Sequence, residues 1–270
     1  MKRIGDVIRE LPVRPAPVYS NGEIRISRRE TAKCPICQDA GYLRAEVPVG
    51  HPSFGRLFPC QCKRKELNER RAEELRNLSN LEVFTNHTFE DFDPEINGVE
   101  EAYETALAFA QEPGHRWLFL HGPCGTGKTH LGVAIAKYAM QWHNMSVYFA
   151  VVPDLLDHLR ATFDPNSGTA YDERFTMIRN AHLLVLDDLG TENATPWAKE
   201  KLYQIINHRY MEQLPTVITS NVDQRKVEDR IMSRILDHRL TQYVSVENAE
   251  DYRRPGDPRR MKRSRRGGHV

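Results

Sequence analysis

Apolar residues between positions 81 and 250 alternate between short continuous runs and longer stretches with helical spacing. The short runs are typical of buried strands and the longer stretches are typical of helices. We predict strands at residues 117–120, 147–152, 183–186, 216–219 and 243–246, and helices at residues 129–142, 153–163, 197–211 and 227–240. Because strands that alternate with helices form parallel sheets, the pattern predicts an α/β fold with a central parallel sheet flanked by helices.

The remainder of the chain lacks this alternation and changes in composition along its length. The first segment mixes charged residues with Pro12, Pro15 and Pro17, and we expect a loosely ordered arm with one short helix. A run of polar helix formers, KRKELNERRAEELRNLSN, is typical of an exposed linker helix. We therefore predict an N-terminal arm, a cysteine module, a helical linker, an α/β domain and a flexible tail at residues 1–33, 34–62, 63–80, 81–252 and 253–270.

Composition narrows the class of protein more than net charge does. The 270 residues are 40% hydrophobic and 28% charged, which is ordinary for a chain that folds around a core. A formal net charge of +1 indicates no particular partner. No apolar run approaches the roughly 18–20 residues that span a bilayer, and the N-terminus has no secretory apolar region. We therefore expect a cytoplasmic protein with no membrane partner.

A glycine-rich segment follows the first predicted strand of the α/β domain. It fits the pattern G-x-x-x-x-G-K-[ST] and consists of Gly122, Pro123, Cys124, Gly125, Thr126, Gly127, Lys128 and Thr129. Glycine allows backbone angles at which loop amides point at phosphate oxygens, and the following helix presents its positive N-terminus to them. Lys128 can reach the β- and γ-phosphates, and Thr129 can coordinate Mg²⁺. A plain glycine-rich turn is the alternative, but the strand before and the helix after favour an ATP site.

Two further predicted strands end in polar residues that suit the same site. Asp187 would hold Mg²⁺, and Asp188 would orient the water that attacks the γ-phosphate, with Glu192 a weaker alternative for that role. Asn221 follows the next strand and could contact the γ-phosphate or the water. The alternative for these residues is a set of solvated turn positions beside the strand ends.

Two arginines form a third candidate group. Arg230 and Arg234 lie four residues apart in the last predicted helix, so they share one face of it. Such a pair is often only a solvated surface. In an ATPase it could instead act as an arginine finger on the nucleotide of a neighbouring subunit.

The order of these motifs resembles that of AAA+ ATPases, and more narrowly that of the DnaC/DnaI/IstB-like group of helicase loaders and transposition helpers. The resemblance covers roughly residues 81–255. It is carried by Thr88-Phe-Glu-Asp-Phe92, Gly122-Pro-Cys-Gly-Thr-Gly-Lys-Thr-His-Leu131, Val152-Pro-Asp-Leu-Leu156, Leu186-Asp-Asp-Leu-Gly190, Thr219-Ser-Asn221 and Asp229-Arg-Ile-Met-Ser-Arg234. It implies a P-loop AAA+ core that hydrolyses ATP, weakly unless copies of the chain associate through AAA+ interfaces.

The resemblance also implies a role for each matching residue. The matches are Lys128 and Thr129 to Walker A, Asp187 and Asp188 to Walker B, Asn221 to sensor 1, Arg234 to the arginine finger with Arg230 as second candidate, and Arg253 to sensor 2. Asp188 stands where most AAA+ enzymes have glutamate. Its shorter side chain implies slower hydrolysis.

Four of the five cysteines cluster ahead of the α/β domain. Cys34-Pro-Ile-Cys37 and Cys60-Gln-Cys62 enclose 22 residues, and two thiolate pairs at this separation can form a tetrahedral zinc site. His51 lies between the pairs and could replace one cysteine. Four unrelated reduced cysteines are the alternative, which the clustering disfavours. Since four thiolates leave no position for water, the predicted zinc is structural, and the resemblance implies that the module docks a partner.

The C-terminal tail is strongly basic. From Arg253 to Arg266 it carries eight lysines and arginines against one acid, Asp257. A flexible basic tail attracts phosphate backbones without reading base sequence. The alternative is a tail that only keeps the protein in solution.

The resemblance implies an ATP-dependent helicase loader in DNA replication. Such a protein binds ATP and single-stranded DNA and docks a replicative DNA helicase through its N-terminal region. One alternative is an IstB-like transposition helper ATPase that acts on duplex DNA. Another is a nucleotide-switched adaptor that binds ATP with little hydrolysis. The cysteine module favours the loader over the transposition helper.

Overall fold

The chain divides into two units, Met1–Arg71 and Ala72–Val270. The computed structural model describes residues 13–15, 18–20, 23–25, 32–79, 81–161, 168–192, 195–249 and 251. The strands are β1 (Val13–Pro15), β2 (Val18–Ser20), β3 (Glu23–Arg25), β4 (Tyr42–Ala45), β5 (Leu57–Pro59), β6 (Trp117–His121), β7 (Val147–Val151), β8 (Leu183–Asp187), β9 (Thr216–Ser220) and β10 (Thr241–Ser245). The helices are α1 (Gln61–Leu78), α2 (Glu100–Gln111), α3 (Lys128–His143), α4 (Val152–Ala161), α5 (Gly168–Arg179), α6 (Pro196–Met211) and α7 (Asp229–Ile235).

The first unit is built on short antiparallel strands. β1, β4 and β5 form one sheet with β4 in the centre, and β2 pairs with β3 in a second. Short strands, β1 to β3, lie within the predicted arm. The short helix that we expected in the arm falls outside the described residues. Proline removes a backbone donor and is tolerated on an edge strand such as β1, which ends at Pro15.

The second unit centres on a parallel sheet with the strand order β10-β6-β9-β8-β7. Successive side chains of its strands enter two different apolar cores. In β6, Trp117 and Phe119 join the core on one face, while Leu118 and Leu120 join the core on the other. Burial on both faces explains why these strands read as continuous apolar runs rather than as alternating ones.

Helices cover both faces of this sheet. The side chains of α4, α6 and α7 contribute to one core, and those of α2 and α3 contribute to the other. This arrangement confirms the predicted α/β fold with a central parallel sheet flanked by helices. Among the residues that the structure describes, no helix is long and apolar enough to cross a bilayer.

The last helix is shorter than the sequence predicts. We expected a helix over residues 227–240, but α7 covers Asp229–Ile235. Beyond it, Asp237 accepts hydrogen bonds from the Tyr210 hydroxyl (2.7 Å) and the Arg239 guanidinium (2.8 Å). These contacts hold a turn that leads directly into β10. The apolar residues after α7 therefore belong to the turn and the strand, and not to a longer helix.

Candidate functional site

The glycine-rich segment forms the loop between β6 and α3. Gly125 (φ +82°) and Gly127 (φ +84°) both lie in the left-handed region, which side chains rarely adopt. Space also excludes a side chain at either position. A Cβ at Gly127 would lie 2.7 Å from a ring carbon of Phe92, and one at Gly125 would lie 1.9 Å from Asp251 Oδ1. The loop can therefore bring its backbone close to a ligand at the N-terminus of α3, a position that favours anions.

Lys128 begins α3 and is only 6% exposed. Its Nζ donates to the Pro123 carbonyl oxygen (2.7 Å) and to Thr126 Oγ1 (3.3 Å). These contacts hold the ammonium group inside the curve of the loop. A buried cation beside backbone amides at a helix N-terminus is suited to the phosphates of a nucleotide.

The Asp187 carboxylate, at the end of β8, is the centre of a second group of contacts. Its Oδ2 accepts from Thr129 Oγ1 (3.0 Å) and its Oδ1 accepts from Thr219 Oγ1 (2.7 Å). Burial raises the pKa of Asp187, and these hydrogen bonds oppose that effect. A hydroxyl and a carboxylate oxygen 3.0 Å apart are the donor types that Mg²⁺ prefers, so the pair is suited to this ion.

Asp188 and Asn221 lie beside the loop. Asp188 has φ +58°, a left-handed conformation that costs a non-glycine residue roughly 1–3 kcal/mol. Asn221 Nδ2 lies 3.2 Å from Cys124 Sγ and 3.4 Å from Asp188 Oδ1. The structure thus brings the predicted sensor, the second acid and the loop together. Glu192, the weaker alternative to Asp188, instead accepts from the Gly190 N–H of its own turn (2.7 Å).

The arginine pair lies on α7, where contacts with α6 hold it. Arg234 donates to Asn207 Oδ1 (2.8 Å) and the Tyr203 hydroxyl (3.0 Å), and its guanidinium lies over the Tyr203 ring. The Arg230 guanidinium also lies over the Tyr203 ring, 4.5 Å from its centroid, and it pairs with Glu228. The structure therefore fixes the direction of Arg234 within the chain. Arg253 lies outside the described residues.

Comparison with known proteins decides the family. The profile of the IstB-like ATP binding proteins matches residues 61–256, which is more than half of the chain. This chain is an IstB-like ATP-binding protein. The match includes the glycine-rich loop, both acids and Asn221, and it confirms the resemblance inferred from the motifs.

The relatives of this IstB-like chain include proteins named replicative helicase loaders. DnaC of Buchnera aphidicola subsp. Schizaphis graminum is 27% identical over 159 residues, which are 58% of this chain and 64% of that protein. DnaI of Bacillus subtilis is 27% identical over 189 residues, which are 67% of this chain and 59% of that protein. The chain thus spans less than two thirds of the length of either relative. A crystal structure of the DnaC helicase loader has a TM-score of 0.54 at 24% identity, covering 60% of this chain and 97% of that one, so the two share a fold.

The IstB-like match begins at residue 61, so three of the four clustered cysteines precede it. The sulfur atoms of Cys34, Cys37, Cys60 and Cys62 all lie within 4.8 Å of one another. Two of the distances are 3.7 Å (Cys34 to Cys60) and 3.3 Å (Cys37 to Cys62). Sulfur atoms around a tetrahedral zinc ion with bonds of about 2.3 Å lie about 3.8 Å apart, so the donor set fits zinc.

The thiols of this cluster cannot ionise independently. Hydrogen bonds from the backbone N–H groups of Cys37 and Ile36 lower the pKa of Cys34 to about 7. In contrast, the hydrogen bond with Cys37 and burial raise the pKa of Cys62 to about 12. A thiolate on one sulfur therefore opposes ionisation of the neighbouring thiols. A bound divalent cation would reduce the repulsion between the thiolates. His51 is not among these four grouped residues, and its Nδ1 accepts from the Ser53 N–H (3.0 Å).

Three residues around the IstB-like nucleotide site had no role in the sequence analysis. Thr219 binds both acids, Phe92 packs against Gly127, and Asp251 lies against Gly125. Thr219 and Phe92 belong to motifs that carry the family resemblance, and Asp251 lies two residues before Arg253. The neighbours of these three residues have more familiar chemistry, so the sequence alone gave the three no role.

Proposed function

We propose that this chain is an ATP-dependent loader of a replicative DNA helicase. The observation that carries the proposal is its similarity, across the IstB-like domain, to the loaders DnaC and DnaI. The four-cysteine module ahead of that domain supports it, since an extra small unit provides a place for a partner to dock. In this proposal the chain binds single-stranded DNA, and the module docks the helicase.

The geometry of the site supports ATP hydrolysis. The loop amides and Lys128 would hold the phosphates, and Thr129 and Asp187 would hold Mg²⁺, which would neutralise charge on the phosphates. Asp188 orients the attacking water, and Asn221, which contacts Asp188, positions the γ-phosphate or that water. The products are ADP and inorganic phosphate.

We further propose that Arg234 completes the nucleotide site of a neighbouring copy. Its contacts with Tyr203 and Asn207 hold the guanidinium on a fixed helix surface, which suits a residue that must reach another subunit. In the same proposal Arg253 acts as sensor 2, and the basic tail contacts the DNA backbone. Residues 81–252 form the ATPase domain, preceded by the zinc module at 34–62 and the helical linker at 63–80.

Capture of the replicative helicase tests the loader function. The full chain, tagged at its C-terminus, is incubated with the host's purified helicase and ATP, beside the Cys37→Ser and His51→Ala variants. We expect capture by the wild-type chain and by His51→Ala, and loss of capture by Cys37→Ser. Absence of capture by the wild-type chain would contradict the loader function.

An IstB-like transposition helper is the second candidate, because the matching family is named for IstB. ATP-dependent binding that prefers duplex to single-stranded DNA, without helicase capture, would favour it. A nucleotide-switched adaptor is the third candidate. Comparing the wild-type chain with Asp188→Ala tests it, since equal and negligible hydrolysis by both, with unchanged helicase capture, would favour the adaptor.

A further inference from the structure

Thr219 is a threonine of the central strand β9 with a fully buried side chain. Its hydroxyl lies 2.7 Å from Asp187 Oδ1 and 3.0 Å from the backbone nitrogen of Asp188. The backbone carbonyl of Thr219 also accepts from the Leu189 N–H (2.9 Å). One residue of β9 therefore contacts three consecutive residues at the end of β8.

The direction of both hydroxyl contacts follows from their chemistry. A hydroxyl has one proton to donate, and the N–H of Asp188 can only donate. The Thr219 hydroxyl must therefore accept from Asp188 and give its own proton to the Asp187 carboxylate. Since Thr129 donates to the other oxygen of Asp187, the two threonines fix the rotation of that carboxylate.

The same hydroxyl supports the conformation of the second acid. Asp188 adopts a left-handed backbone (φ +58°) although it is not glycine. The Thr219 hydroxyl holds the peptide unit between Asp187 and Asp188, because it accepts from the Asp188 N–H. The left-handed turn begins at that peptide unit and places Asp188 Oδ1 3.4 Å from Asn221 Nδ2.

We propose that Thr219 is a positioning residue of the ATP site, and that its hydroxyl sets the Asp187 carboxylate and the Asp188 backbone together. The proposal rests on the proposed ATPase function. Thr219 does not itself touch the substrate in this role. It makes the oxygen of Asp187 available to Thr129 and Mg²⁺, and it directs Asp188 to the water.

The chain offers a closely matched control on the same strand. Thr216 is also fully buried, and its hydroxyl also makes two hydrogen bonds, from Arg209 Nε (2.9 Å) and to the Leu214 carbonyl (2.9 Å). It lies at the opposite end of β9 from the two acids. Replacing either threonine with valine removes a buried hydroxyl with little change of volume, but only Thr219→Val changes the site.

The test compares Thr219→Val, Thr219→Ser and Thr216→Val in the full chain. ATP affinity is measured with Mg²⁺ and with EDTA, and turnover is measured at protein concentrations at which the wild-type chain assembles. In Thr219→Val we expect the gain in affinity from Mg²⁺ to fall at least about fivefold and kcat to fall at least about tenfold, with affinity in EDTA nearly unchanged. Thr219→Ser should retain both quantities, and Thr216→Val should retain both while melting at a lower temperature.

Two outcomes would overturn the positioning role. In one, Thr219→Val keeps the Mg²⁺ gain and kcat of the wild-type chain. In the other, Thr219→Ser loses both as completely as Thr219→Val does, which would show that the hydroxyl is not the cause. If Mg²⁺ increases the ATP affinity of the wild-type chain but no turnover is measured, the proposed hydrolysis fails. The affinity measurements alone then decide the role of Thr219.

Discussion

The Asp187 carboxylate shows how single side chains build the site. It is buried, and burial raises its pKa, which favours the neutral acid. Hydrogen bonds from the Thr129 and Thr219 hydroxyls lower the pKa and oppose that effect in part. The site thus gives each oxygen of a buried carboxylate a hydroxyl donor.

Asp251 is a second residue with a local effect on the site. Its carboxylate lies against Gly125, within the loop that would receive phosphates. Like charges at short range repel most strongly where water is excluded. We therefore expect Asp251→Asn to bind ATP about 3- to 10-fold more tightly, a change of roughly 1 kcal/mol.

Glu212→Gln provides the control for that prediction. This variant also removes one negative charge. Glu212 lies at the C-terminus of α6, just before the start of β9, and is therefore at the opposite end of the sheet from the loop. Equilibrium titration with a fluorescent ATP analogue measures both variants. Equal affinity of Asp251→Asn and the wild-type chain would show that this carboxylate does not oppose the nucleotide.

Arg209 is fully buried and acts on stability rather than on the site. Its guanidinium donates to Thr216 Oγ1 and to the carbonyl oxygens of Arg179, Ala181 and Pro215. We expect Arg209→Met to lower the free energy of unfolding by roughly 3 kcal/mol or more, because it leaves several buried acceptors without a donor. Denaturant titration measures the change, and Arg160→Met, at an exposed position of α4, should cost less than about 1 kcal/mol.

At the scale of elements, the strand order decides which motifs meet. The loop follows β6, Asp187 ends β8, and Asn221 follows β9, which lies between those two strands. Because the three strands are parallel, their carboxyl ends share one edge of the sheet, where ligands of α/β proteins bind. Segments distant in the chain thereby reach hydrogen-bonding distance.

The packing of α7 on α6 leads to a prediction about assembly. Arg234→Ala should abolish the stimulation of ATPase activity by assembly, while ATP affinity stays within about twofold, because in the proposed role the residue acts on a neighbour's nucleotide. Turnover measured over a range of protein concentrations, together with an equilibrium titration, checks this. An equal loss of binding and turnover would refute the action on a neighbour. Arg230→Ala, measured in parallel, shows which of the two arginines acts on the nucleotide of the neighbouring copy.

The bounds of the strands and helices show where the local pattern of apolar residues was sufficient to predict an element. The predicted strands at 147–152 and 183–186 correspond to β7 and β8, because apolar runs buried on both faces are unmistakable. The helices α2 and α5 were not predicted. In α2 the buried residues are mostly alanine, and small side chains give a weak periodic signal.

At the scale of the whole molecule, the two units differ in what holds them together. The second has two extensive apolar cores, whereas among the described residues of the first the buried cluster consists of Leu43, Cys37 and Cys60. So small a cluster gives little support by itself, and a metal ion can supply more. We therefore expect one zinc ion per chain.

Zinc removal should therefore affect the two units unequally. After chelation, hydrogen exchange should quicken in residues 34–62 and remain slow in β6 and β9, because the proposed metal site lies in the first unit. Mass-spectrometric exchange with and without chelator measures both regions, and zinc analysis of Cys37→Ser should show loss of the metal. Unchanged protection of residues 34–62 in metal-free protein would contradict a structural zinc site.

The sequence by itself determined the alternation of strands and helices, the phosphate loop and the spacing of the four cysteines. Each of these is a local pattern, because strand burial, a glycine-rich turn and a knuckle depend on neighbouring residues. Only the tertiary structure decided that Thr219 directs both acids, that Asp251 lies on Gly125 and that Arg209 joins α6 to β9. Thr219 and Asp187 are 32 residues apart, and the Asp187–Thr129 contact joins residues 58 apart. Such contacts depend on strand order and side-chain rotation, which no local pattern specifies.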